Sequence, residues 1–599
     1  MSVFLFCYLS ALKINFNDML NKKFFVLFSF IIPLAGLLLT GCVKKTNDFN
    51  IIELKGGIKG GGMFTTNETE NIRSLDPTGI NDVVSHHVAH QIYDLLIDLD
   101  SNMNLKPTLA SRWEISEDGL IYTFHLRKGA FFHDNPCFPG GKGREFNSED
   151  VRYSFNRILD PRTGSVGFDY YKNYVEGAQE FIDEVTKSMS ANRPPKVNEV
   201  SGFIAMDDST FVIKLKKPFG PFIYYMCLGF AYVIPREAVQ KYGKDFFQNP
   251  VGTGPFIFEN WTPDLEINMK KNPNYWEKDE FGNNIPYLDK VKFRFIKDIS
   301  QQLLEFTNGN LDDSYRIPTE LTTSIVNEDG TLTPEYSRFI LQRKNAFAVQ
   351  YYGFLTNGKI FSDPKVRQAF NYAIDRERII KYVLKGTGTP AVHGVVPPGM
   401  PGYDIKNING YSFDLEKARQ LMAEAGYPGG RGFPEVTLNI NEGGGRNIQV
   451  MEAIQNMLKE LGISIKIQTL QFAQHLDNID AGRSDFYRLG WIADYPDPEN
   501  FLNLFYGENV PDNPKEKSPI NSFRYINPKY DELFEQALKI SDMSERYKIY
   551  QQAEQIAVNE APVLFIFFDV DYRLIQPYVR GFALDPMHRV NMRYTWLDK

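Results

Sequence analysis

Apolar positions fall along this chain in three patterns, and each predicts a different kind of element. The first is one unbroken run, residues 24–39 (FFVLFSFIIPLAGLLL). At 16 residues, with Pro33 inside it, the run is short of the ~20 that a membrane-spanning helix needs. It follows Lys22-Lys23 and ends at Leu39-Thr40-Gly41-Cys42. A basic region, an apolar region and a small-residue exit make a secretory signal. Met19 stands just before the basic pair as an alternative start, which makes residues 1–18 an upstream extension.

The second pattern alternates. Residues 120–127 (LIYTFHLR) lie between Asp118-Gly119 and Lys128-Gly129 and predict a hairpin strand. The third recurs at helical spacing. It predicts a short helix over 150–158 with Ser148 as N-cap, and a long one over 363–383 with Pro364 near its start. A helix over 415–425 stops at Gly426. Another over 448–461 stops at Gly462 and leads into a strand over 463–467, a unit expected beside a parallel sheet. Polar-faced helices over 530–540 and 544–558 precede the apolar strand 562–568 (PVLFIFF). Turn clusters sit at 215–221 and 251–255, the latter followed by a strand over 256–258. There is no repeat, and strands and helices alternate irregularly, so the class is α/β or α+β.

Composition narrows the function. The 599 residues carry a net charge of −8, against the basic excess of a nucleic-acid binder. Four cysteines cannot make a disulfide scaffold. Cys137 and Cys227 are the pair left in the body, and spacing leaves open whether they join. Gly56, Gly57, Gly60, Gly61 and Gly62 read as a flexible tether after the signal. Aromatics reach 14%, enough for broad packed faces or an aromatic-lined ligand cavity.

Candidate chemistry is sparse. Glycine-rich spots at 56–62, 140–141, 252–255 and 443–445 lack the P-loop pattern. No G-x-S-x-G elbow occurs, and no nucleophile–base pair suggests an enzyme. His86 and His90 share a helix face at metal-ligand spacing but have no nearby third ligand, so a solvated or core-edge pair is the simpler reading. The richest segment is 488–501 (RLGWIADYPDPENF), where three carboxylates surround two prolines. Proline fixes the backbone, so Asp494 can be held at a strand end facing a cleft. A carboxylate beside Trp491 then needs a cationic partner, which a ligand ammonium supplies. A Ca²⁺ loop and plain turn acids remain alternatives at this level.

Other landmarks lie in order along the chain: Ser74-Leu75-Asp76-Pro77; Trp113 to Gly119 with Tyr122 to Arg127; Phe132-His133-Asp134; Val251-Gly252-Thr253-Gly254-Pro255; Asn272-Pro273-Asn274-Tyr275-Trp276; and Val366 to Phe370 with Ala373 to Arg376. With Gly490 to Pro498 they resemble the solute-binding proteins of peptide ABC transporters, the oligopeptide- and dipeptide-binding family, over residues 62–593. Leu39-Thr40-Gly41-Cys42 is similar to a bacterial lipobox, which implies a lipid anchor on Cys42 and a place in the cell envelope, facing the periplasm or outer surface. Residues 136–144 and 179–198 depart from the family as insertions expected on the surface, clear of the cleft.

The resemblance implies an α/β, two-lobed periplasmic-binding-protein-like fold (class II) with a domain added to lobe 1. Lobe 1 is then 62–97, 203–345 and 562–599, the added domain 98–202, and lobe 2 346–561, after a signal (1–41) and tether (42–61). It also implies that Asp494 pairs with a peptide α-amino group, that Arg488 meets a peptide carboxylate, and that Gly490 and Trp491 line the cleft. A second basic position of some members is Ile479 here, with Arg483 nearby. Permease subunits are the implied protein partners of a monomer that needs no cofactor. The rivals are the same fold carrying a metal chelate, haem or oligosaccharide, and a surface lipoprotein without a transport role.

Overall fold

Strand propensity is densest in two stretches, and both form strands long enough to organise the molecule. In the computed structural model, which describes residues 50–80, 82–442 and 444–599, Ile340–Phe354 and Val563–Ile575 pair antiparallel over nearly their whole length. The export signal and Cys42 lie outside the described residues. These two strands are the middle of a seven-stranded sheet. Asp313–Tyr315 flanks one side; Phe486–Ile492, Val436–Asn441 and Ile465–Leu470 follow on the other. The last three run parallel to one another, and the helix Gly444–Lys459 makes the crossover that parallel pairing requires. This is the helix–Gly–strand unit expected from the pattern.

Two four-stranded sheets complete the frame. One joins Phe256–Thr262, Glu266–Lys271, Lys290–Phe295 and Met63–Glu68. The other joins Ala110–Ile115, Ile121–Leu126, Thr210–Lys214 and Phe203–Asp207, so the alternating segment at 120–127 is the strand it predicts. The aromatic excess goes largely into cores. Phe354 and Phe486 stack at 5.1 Å, with Phe370 edge-on to both and to Phe361. Phe155, Tyr171, Phe203 and Phe211 fill the core under the second four-stranded sheet.

Three local expectations are corrected, and the question the sequence leaves open at Cys137 and Cys227 is answered. The glycines of the tether build structure instead of slack: Ile52–Glu53 pairs with Lys59–Gly60, and Gly56 and Gly57 supply the positive φ (77° and 73°) of the turn between them. Asn283 clamps this hairpin through Lys55 N and O at 3.2 and 3.0 Å. The helix near 150 spans Ser148–Leu159, and its N-cap is Asn147, whose side chain accepts from Glu149 N and Asp150 N. The helix expected over 363–383 breaks after Tyr372. Buried Arg376 donates to the carbonyls of Asn371, Ile374 and Phe565, while Asp375 caps the next turn. Cys137 and Cys227 are both free thiols.

Candidate functional site

The three carboxylates of residues 494–499 begin alike in sequence and reach three different environments. Asp497 is fully buried and ion-paired with Arg546 at 2.6 Å, with the Tyr547 hydroxyl donating at 3.3 Å. Glu499 is buried against Tyr495, whose hydroxyl donates to it; burial pushes its carboxyl up to about 8. Asp494 stays open to solvent.

The position of Asp494 follows from the strand before it. Phe486–Ile492 pairs with Ile340–Phe354, and Ala493 N still donates to Phe347 O at 2.8 Å, so the chain leaves the sheet at Asp494. Buried Asn500 then fixes it. The Asn500 Oδ1 accepts from Asp494 N (3.2 Å) and from Trp491 Nε1 (2.9 Å), and its Nδ2 donates to Asp494 Oδ2 (3.4 Å). The Tyr170 hydroxyl donates to the same oxygen from across the cleft at 3.3 Å. Solvent reaches the carboxylate, but the protein packed around it takes away enough water to raise its pKa. Among the described residues no Lys, Arg or His forms an ion pair with it.

Asp494 lines a cavity of about 280 Å³ with Ile80, Val83, His86, Leu99, Val166, Tyr170, Cys227, Phe230, Ala493 and Met587. A larger cleft of about 950 Å³ lies beyond it, lined by Arg316, Ala348, Gln350, Lys385, Arg446, Ile492, Asp569 and Tyr572 among others. His588 lines both, so the two spaces meet there.

The other expected site residues stand behind these walls. Arg488 donates to Asn441 Oδ1 at 3.1 Å and to Gln350 Oε1, both neutral amides. Gly490 faces Gln350 across the strand pair, and a Cβ there would come within 2.8 Å of Gln350 Oε1. Glycine at this position therefore makes room for the side chain that holds Arg488. Trp491 packs on the main core and orients Asn500. None of the three lines either cavity. Ile479 is a core residue, and Arg483 pairs with Asp477 at the surface.

His86 and His90 stack at 5.7 Å, and His90 bridges Tyr232 (3.1 Å) and Asp98 (3.4 Å). Burial lowers His86 to about 4, so it is neutral. Among the described residues no group of three His, Cys, Asp or Glu side chains is placed to hold a metal. Residues 136–144 and 179–198 line neither cavity, and both send side chains into the main core, Phe138 from the first and Phe181 and Val185 from the second. Asn500 was within reach of the sequence, six residues past Asp494. Tyr170 was not, because nothing local announces a partner 324 residues away.

Comparison with known proteins places this geometry. Residues 104–513 match the model of bacterial extracellular solute-binding proteins, family 5. The glutathione-binding protein GsiB of Shigella flexneri is 30% identical over 499 residues, covering 82% of this chain and 86% of that one. Heme-binding protein A of Haemophilus influenzae is 31% identical over 505 residues, covering 83% and 85%. Among solved structures, the periplasmic binding protein DppA of Helicobacter pylori in complex with the peptide STSA superposes with a TM-score of 0.66 at 27% identity, covering 90% of this chain and 99% of that one. The two-lobed, class II α/β fold is common to this group. The chain therefore belongs to the extracellular solute-binding proteins of family 5, substrate-binding proteins of ABC transporters and not enzymes.

Proposed function

We propose that this protein captures peptides in its interlobe cleft and delivers them to an ABC permease, held at a bacterial membrane by lipid on Cys42. The observation that carries the peptide reading is Asp494. It is the carboxylate of its segment that faces the cleft, and among the described residues it has neutral hydrogen-bond donors but no cation. A peptide ammonium entering a closing cleft loses water and needs such a partner. The relative solved with STSA is a peptide complex, and glutathione likewise carries a free amino group. Arg488 contributes positive charge behind the cleft wall, and Gly490 and Trp491 hold the strand and the Asn500 latch.

In this reading lobe 1 comprises 62–97, 203–345 and 562–599, the added domain 98–202, and lobe 2 346–561. The hinge is where Ile340–Phe354 and Val563–Ile575 slip register between Asn345 and Val349, beside the cleft. Ligand binds the closed state better than the open one and so shifts the equilibrium that the permease reads.

Native mass spectrometry of the freshly purified protein tests the solute class. Bound species differing by amino-acid residue masses are expected; co-purified haem, a metal chelate or a sugar would contradict the peptide reading. Cys42→Ser should move the protein from the membrane to the soluble fraction. Retention of that variant on salt-washed membranes would contradict the lipid anchor.

A further inference from the structure

The smaller cavity carries more information than the position of one carboxylate. Its charged side chains other than Asp494 are already engaged within the protein. Asp82 caps its helix through Ser85 N (2.7 Å) and Ser85 Oγ (2.8 Å). His87 bonds Glu68 at 2.6 Å and the His588 carbonyl. His588 pairs with Asp571 at 3.0 Å, and Arg589 pairs with Asp98 (2.8 Å) and Asp585 (2.9 Å). His86 is neutral, and burial with the nearby Asp98 charge pushes the Cys227 thiol up, so it stays protonated. What remains, among the described residues, is a largely apolar hollow with one anion that pairs with no cation and that solvent reaches. Val83, 49% exposed, adds apolar surface to its lining.

We infer that this hollow seats the side chain of the ligand's first residue, and that the protein selects peptides with a free amine and an apolar first residue. The inference rests on the peptide reading above. The ammonium sits at Asp494, and the first Cβ is one bond from the carbon that bears it, so the side chain enters the same cavity. About 280 Å³ accommodates a leucine-, methionine- or phenylalanine-sized group. A carboxylate there would face Asp494 with no free cation in the walls, and would lose its water unpaired. The rest of the peptide lies in the larger cleft, whose mixed charges and width leave later side chains hydrated and weakly discriminated.

The test is calorimetry on refolded, ligand-stripped wild-type protein with tripeptides X-Ala-Ala. With X as Leu, Met or Phe, binding should be about tenfold or more tighter than with Gly, and with Asp weaker still. N-acetyl-Leu-Ala-Ala should bind far more weakly than the free amine, and N-acetyl-Lys-Ala-Ala should not recover the loss. Ala493→Leu narrows the hollow and should remove the preference for Leu over Gly, with its thermal melt compared to wild type. If all free-amine peptides bind equally, whatever X is, the first-residue pocket is wrong while the peptide reading stands. If Asp or acetylated Lys binds best, the seat is wrong in kind. If no peptide binds, this inference and the peptide reading fall together.

Discussion

Asp494 and Asp497 are three positions apart, and the difference between them is one of partners. Asp497 has Arg546 and Tyr547 in a dry site; Asp494 has two neutral donors and open water. Asn500 maintains that difference, because its amide holds both the Asp494 backbone and carboxylate and the Trp491 indole. Asn500→Ala leaves these donors unmet, at a cost of about 1–3 kcal/mol for buried groups. We expect a lower melting temperature and peptide affinity reduced by about tenfold; an unchanged titration would remove Asn500 from the site. Asp494 itself was legible in the sequence because two prolines and a strand end mark it. The amides that hold Arg488 were not, because Gln350 and Asn441 approach it from strands 138 and 47 residues distant.

At the scale of elements, the turn carrying Glu499 makes a pH-dependent contribution. Its carboxyl is raised from an ordinary 4.5 to about 8 by burial. Between those values the folded protein keeps a proton that the unfolded chain has released. Stability from this group is therefore present at low pH, falls as pH rises through the window, and is lost above about 8. Glu499→Gln keeps the acceptor for Tyr495 and removes the titration. The variant should gain on wild type as pH rises from about 5 to 8, by on the order of a few kcal/mol, and the gap should level off above that. Parallel melting curves across this range would show that Glu499 does not titrate so. Elsewhere the apolar periodicity gave element types correctly, and its failures have local causes. Periodicity alone runs a helix through 363–383, but it does not register that buried Arg376 claims backbone carbonyls for its guanidinium. Glycine enrichment reads as slack unless the contact with Asn283, more than 200 residues on, is known.

For the whole molecule, landmark order carried the fold, whereas the cavity next to Asp494 gathers residues 80–99, 166–170, 227–230 and 587–589, which no local pattern joins. These segments face 493–494 across an open space, so closure should be visible as a change in shape. Small-angle scattering of ligand-stripped protein should show a smaller radius of gyration on adding saturating peptide. No change, with binding confirmed by calorimetry, would contradict the hinge at the register slip of the two long strands.

The central claim is that Asp494 receives a ligand ammonium, and Asp494→Asn isolates that charge with little change of shape. The measurement is isothermal titration of ligand-stripped wild type and variant with the same free-amine peptide, with matched thermal melts. Removing one partner of a pair that closure takes out of water costs about 3–5 kcal/mol, so the variant should bind about 10²-fold or more weakly. Binding by Asp494→Asn within about threefold of wild type, a difference under about 0.7 kcal/mol, would contradict the account.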